Sequence, residues 1–149
     1  MLPILNEPRH PDLDRHGTLE GLRILAVDDN EDTLELLAVI LEGYGAQVIT
    51  ARSASAALNL IKQQSFDVLV SDLAMPEKDG YWLIRQVRNL PPEKGGLIDA
   101  IALTAIAGEV ERNNSVKAGF NIHLTKPIEP NKLVVVVNQL VAHRQYLNK

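Results

Sequence analysis

Five short aliphatic runs separated by longer amphipathic segments recur along residues 22–141, and that alternation leaves few folds open. The runs cover residues 23–27, 47–50, 66–72, 100–104 and 121–125. Within "FDVLVSD", Val68, Leu69 and Val70 are apolar in succession, as expected of a strand covered on both faces. Between the runs, apolar residues return every three or four positions. Leu34, Leu37, Ala38 and Leu41 form one such stripe, with Asn30 placed to cap its helix and Gly43 and Gly45 closing it. Ala54, Ala57, Leu58 and Ile61 form a second, over residues 53–63. Further helices are expected over residues 81–89 and 109–118, and the last from Pro130 to about His143. The run from Val134 to Val137 favours a strand by propensity, but the spacing of Leu133, Val136, Val137 and Leu140 is helical. Strands alternating with helices predict an α/β fold with a parallel sheet between two helical layers.

The remaining composition narrows the function. A chain of 149 residues suits one domain, here residues 22–142. Residues 1–21, with Pro3, Pro8 and Pro11, are read as a linker or flexible tail, and residues 143–149 as a C-terminal tail. A net charge of -4 argues against nucleic acid as a partner. The chain has no cysteine, which excludes thiolate metal sites and thiol catalysis. No apolar run approaches the roughly 20 residues of a membrane span, so no membrane partner and a cytoplasmic location are expected.

Parallel sheets of this type bind ligands at the carboxyl ends of their strands. Read in order, those ends carry Asp28 and Asp29, then Asp72, Thr104 and Lys126. Three carboxylates on one rim repel one another unless a cation sits among them. Oxygen donors without histidine or thiolate point to a hard ion, and Mg²⁺ is the expected cofactor. A carboxylate can also attack phosphorus to form an acyl phosphate. Lys126 would offer a positive charge to such a group and Thr104 a hydroxyl, while the small Ala105 lets a backbone N–H approach.

At these distances and in this order, "VDD", "SDLAMPEKDG", "LTA" and "TKP" resemble the receiver domain of two-component response regulators. The resemblance implies a flavodoxin-like (CheY-like) three-layer sandwich, with five parallel strands in the order 2-1-3-4-5 and five helices. It implies that Asp72 takes a phosphoryl group from the phosphohistidine of a histidine kinase or a histidine phosphotransfer protein. Asp28, Asp29, Asp72 and the Ala74 carbonyl would hold Mg²⁺, and Lys126, Thr104 and the Ala105 backbone would hold the phosphoryl group. The Lys126–Pro127 bond is expected to be cis. Signal would leave through the face of the fourth helix, fifth strand and fifth helix to a downstream protein. The tail resembles an interdomain linker, which favours the receiver of a hybrid histidine kinase over a free-standing regulator.

Two positions depart from the family pattern. The switch position three residues before the lysine, usually tyrosine or phenylalanine, is His123. Ala74 and Ile106 lie two residues beyond Asp72 and Thr104, where polar side chains in some relatives orient the hydrolytic water; neither side chain can hold one. A slowly hydrolysed phosphoryl group is therefore expected. A phosphatase of the haloacid-dehalogenase type would need a second acid where Ala74 stands, and a nucleotide or flavin module a glycine-rich turn where "DDNED" stands. A docking scaffold that never takes up phosphate is the third alternative.

Overall fold

The computed structural model describes residues 19–147. Five strands form one parallel sheet: β1 (Arg23–Val27), β2 (Gln47–Ala51), β3 (Val68–Asp72), β4 (Asp99–Thr104) and β5 (Ile122–Thr125). Their order is β2-β1-β3-β4-β5. Five helices follow them: α1 (Glu31–Gly43), α2 (Ala54–Gln63), α3 (Gly80–Arg88), α4 (Glu109–Ala118) and α5 (Pro130–Leu147). This is the flavodoxin-like architecture expected from the resemblance.

Side chains alternate across each strand, and both faces are apolar. Ile24, Ala26, Val68, Val70, Ile101 and Leu103 face α1 and α5, where Leu37, Leu41, Leu133, Val134 and Val137 meet them. On the other face Leu25, Val27, Leu69, Ala100 and Ala102 pack against α2 and α3 through Ala57, Ile61, Leu83, Ile84 and Val87. The β-branched run in α5 is helical because this spacing seats Leu133, Val134 and Val137 on the sheet, and burial outweighs a weak local preference.

Register brings the strand ends to one rim. Val27 pairs with Ala51 on one side and Ser71 on the other, while Asp72 pairs with Leu103 and Thr104 with Thr125. Asp28, Asp72, Thr104 and Lys126 thus leave the sheet within about one residue of the same level.

Two expectations need correction. Most of the expected tail, residues 1–18, lies outside the described residues, but Leu19 is fully buried in the core and its N–H donates to the Tyr44 carbonyl, so residues 19–21 belong to the fold. The last helix does not end at His143 but runs to Leu147. Arg144 explains the extension: its guanidinium lies 3.6 Å from Asp67 and 3.5 Å from Asp99, holding that turn against the opposite edge of the sheet. Between α3 and β4 the chain makes a single 3-10 turn at Pro92–Lys94.

Candidate functional site

Each acidic group is placed by the element that precedes or follows it. Asp28 leaves β1 with its own N–H bonded to the Ala51 carbonyl. Its Oδ1 accepts from the Asn30 backbone N–H at 2.9 Å, and Asn30 in turn caps α1 by accepting from the Thr33 N–H at 2.9 Å. One short segment therefore starts the helix and aims the carboxylate. Asp72 is the last residue of β3, and both it and Asp28 are buried whereas Asp29 is exposed. Carboxylate oxygens of Asp28, Asp29 and Asp72 all lie within 4.8 Å of one another.

Lys126 reaches the same place from β5. Its Nζ donates to Asp28 Oδ2 at 3.0 Å and lies 3.3 Å from Asp72 Oδ1. The Lys126–Pro127 bond is cis, as expected. Three carboxylates against one ammonium leave an excess of two negative charges, so the donor set fits a hard divalent cation. Burial, then the charge of Asp28, pushes the Asp72 carboxyl above its ordinary range despite Lys126. Burial would pull the Lys126 ammonium down, but the hydrogen bond and charge of Asp28, joined by Asp72, hold it above its usual value.

Thr104 is buried at the end of β4, and its Oγ1 accepts from the Ile106 backbone N–H at 3.1 Å. Its hydroxyl proton is left to donate elsewhere. The Thr104 carbonyl accepts from the Lys126 N–H at 2.7 Å, tying the two strand ends together. Ala105 and Ala74, which follow Thr104 and Leu73, are exposed. His123, in the strand beside Thr104, has a buried Nε2 with no hydrogen-bond partner among the described residues. Burial holds its imidazole below the ordinary value, with Glu111 working against that.

Sequence reasoning missed part of the site. Asn30 was read only as a cap, yet its N–H also holds Asp28. The third helix, expected over residues 81–89, begins at Gly80, because Asp79 caps it by accepting from the Trp82 N–H at 2.9 Å. An aspartate three residues before the tryptophan was the available signal. Tyr81 donates to Glu111 Oε2 at 2.9 Å, joining α3 to α4, and no sequence pattern announced that pair.

A family model described as the response regulator receiver domain matches residues 24–138. The chain is 48% identical over 122 residues to an uncharacterized 14.6 kDa protein of Leptolyngbya boryana, covering 82% of this chain and 92% of that one. It is 35% identical over 116 residues to the sensor protein GacS of Pseudomonas syringae pv. syringae, covering 77% of this chain but only 13% of the sensor. Among solved structures, the signal receiver domain of a signal transduction histidine kinase from Syntrophus aciditrophicus matches with a TM-score of 0.75 and 30% identity, covering 83% of this chain and 92% of that one. A match running from the first strand into the last helix takes in Asp28, Asp29, Asp72, Thr104 and Lys126 alike, and the chain belongs to the response regulator receiver domains of two-component systems.

Proposed function

We propose that Asp72 is a phosphoacceptor that draws a phosphoryl group from the phosphohistidine of a histidine kinase or histidine phosphotransfer protein. The observation that carries this reading is the Asp28–Lys126–Asp72 cluster beside Thr104, in which both carboxylates are buried, Lys126 is partly buried, and the Asp72 carboxylate faces the ammonium at 3.3 Å. An Asp72 carboxylate oxygen attacks phosphorus; the new P–O bond forms as the P–N bond breaks, and the departing imidazole takes up a proton. Lys126 neutralises charge on the equatorial oxygens, the Thr104 hydroxyl and the Ala105 N–H donate to them, and Asn30 keeps Asp28 oriented. Asp28, Asp29, Asp72 and the Ala74 carbonyl would hold Mg²⁺, which when bound supplies the countercharge for a phosphoryl group in this acidic cluster.

The phosphorylated form is read as acting through protein contacts made by α4, β5 and α5, with Thr104 and His123 as the switch pair. A cytoplasmic location belongs to this proposal; no described helix is long and apolar enough to cross a membrane. Membership in a hybrid kinase rests on the likeness to the receiver segment of GacS.

The test is to incubate the protein with Mg²⁺ and phosphoramidate. A mass increase of one phosphoryl group that Asp72→Asn abolishes supports the reading; an equal increase in both proteins contradicts it. The lifetime of the acyl phosphate tests the departures. Ala74 and Ile106 offer water no side-chain hydrogen bond, so Ala74→Asn is expected to hasten phosphate release about tenfold, short of the roughly 100-fold or more of a full general base because an amide orients water without taking its proton. An unchanged rate in Ala74→Asn would count against that role.

A further inference from the structure

We propose that Gly80 is a positioning residue for Asp72, an inference that rests on the phosphoacceptor reading above. Gly80 opens α3, and its N–H donates to the Leu73 carbonyl at 3.0 Å. A Cβ built on Gly80 would lie 2.4 Å from the Asp72 carbonyl oxygen and 2.9 Å from the Leu73 Cα. Both are backbone atoms, so no side-chain rotation relieves the contact. The backbone of Gly80 is not in the left-handed region, so its lack of a side chain serves space and not conformation. The first turn of α3 therefore rests directly on the main chain of the phosphoacceptor.

That contact sits at the last rung of the sheet. Asp72 is the last residue of β3, and the next N–H, from Leu73, makes a final bond to the Leu103 carbonyl. The Asp72 carbonyl is bounded by the Ser71 hydroxyl, which donates to it at 2.9 Å, and by Gly80. Asp79 holds the helix start in place through its bond to the Trp82 N–H. Any side chain at position 80 must displace either α3 or Asp72. Leu83, Ile84 and Val87 are fully buried and anchor α3, so part of the displacement falls on Asp72. Its carboxylate would then move relative to Lys126 Nζ, now 3.3 Å away, and to the Asp28 and Asp29 oxygens. Small displacements of a reacting group cost rate steeply, on the order of 100-fold for about 1 Å.

Two other glycines supply controls. A Cβ on Gly96 would meet the Leu90 carbonyl at 2.0 Å, an equally severe backbone clash in the loop before β4. A Cβ on Gly43 would meet nothing within 4 Å. The experiment compares the rate of Asp72 phosphorylation by phosphoramidate in Mg²⁺ for the wild type, Gly80→Ala, Gly96→Ala and Gly43→Ala. It is run at a temperature where circular dichroism shows each protein folded, with donor concentration varied.

Gly80→Ala is expected to lower the maximal rate about tenfold or more while leaving the half-saturating donor concentration unchanged. Gly96→Ala is expected to melt earlier yet react at the wild-type rate, and Gly43→Ala to match the wild type in both respects. Asp79→Ala approaches the question without adding bulk, by freeing the helix start; it is expected to slow phosphorylation several-fold and provides the reading if Gly80→Ala does not fold. A folded Gly80→Ala at the wild-type rate, an equal slowing in Gly96→Ala, or, where Gly80→Ala does not fold, Asp79→Ala at the wild-type rate overturns the inference. A wild type that takes no phosphate overturns the functional reading itself and this inference with it.

Discussion

Helices α3 and α4 follow the two strands whose ends carry Asp72 and Thr104, yet they are held to the sheet very differently. In α3, Asp79 caps the first turn, Leu83, Ile84 and Val87 are fully buried, and Arg88 ties the last turn to the Gly119 and Gly96 carbonyls and the Asn121 side chain. In α4, among the described residues, no side chain caps the N-terminus, which opens on Gly108, and the buried residue is Ser115. Val110 and Val116 remain 75% and 48% exposed. Short helices derive most of their stability from packing an apolar face, so α3 is built to hold its end of the site still and α4 is only lightly anchored. A site that must keep its nucleophile in place while passing on a change in charge has use for both kinds of support.

The largest effect expected from this contrast is in packing. Leu83→Ala in α3 should cost about 3 kcal/mol. Val116→Ala in α4 should cost less than about 0.5 kcal/mol. Urea denaturation measures both, and similar losses would erase the distinction. In the same proteins, backbone amides of α4 should exchange hydrogen faster than those of α3; protection as strong in α4 as in α3 would also break the contrast.

Next comes the cap. Asp79→Ala should cost about 1 kcal/mol, seen in the urea midpoint, because the Trp82 N–H loses its acceptor at the start of α3. There is no corresponding side chain to remove at the start of α4.

The Asp72 carboxylate is itself expected to weigh on the α3 side. Its folded-state value is raised, by burial first and Asp28 second, so its contribution is most favourable below the ordinary 3.8 and is lost as pH rises from there through the raised value. Asp72→Asn should therefore gain about 1 kcal/mol at neutral pH in chelator, and the gain should shrink toward acid pH. Thermal melts at several pH values decide this. A loss at neutral pH would mean that Lys126 outweighs burial.

The smallest effect belongs to the link between the helices. Tyr81→Phe removes a hydrogen bond to Glu111 and should cost up to about 1 kcal/mol, felt mainly as faster exchange in α4. Burial, then the Glu111 hydrogen bond, pushes the Tyr81 hydroxyl up to about 12 from 10.0. A raised value means that the contribution is complete below pH 10 and disappears by about pH 12. The difference in urea midpoint between wild type and Tyr81→Phe should follow that window; a difference independent of pH would assign the effect to packing.

The same contrast marks what the sequence could reveal. Strands buried on both faces announce themselves as aliphatic runs, and acids at their ends are conspicuous because burying charge is costly. The β1 and β3 ends, and with them Asp28 and Asp72, are legible for that reason, whereas Thr104 carries no charge and is placed only as the end of β4. Helix α5 was legible as a helix from its spacing, but its final turn was not, since Arg144 is held by Asp67 and Asp99, which lie far away in the chain. Leu19 reads as part of a tail because the scattered leucines of that proline-bearing stretch share no period that would betray its burial. The pairing of Lys126 with Asp28 spans 98 residues; no local pattern shows it, and only the reading of the strand ends as one rim brings the two together. Gly80 stood in plain view within "KDG", but a glycine after an aspartate reads as a turn until coordinates show the carbonyl it must clear.

The central claim is that the carboxylate at the end of β3 is the group that becomes esterified, and intact-protein mass spectrometry after exposure to phosphoramidate and Mg²⁺ tests it most directly. The wild type should gain one phosphoryl group, localised to Asp72 after borohydride reduction and peptide mapping, and Asp72→Asn should gain none. A phosphoryl group mapped to another residue, or no gain in the wild type, would contradict it.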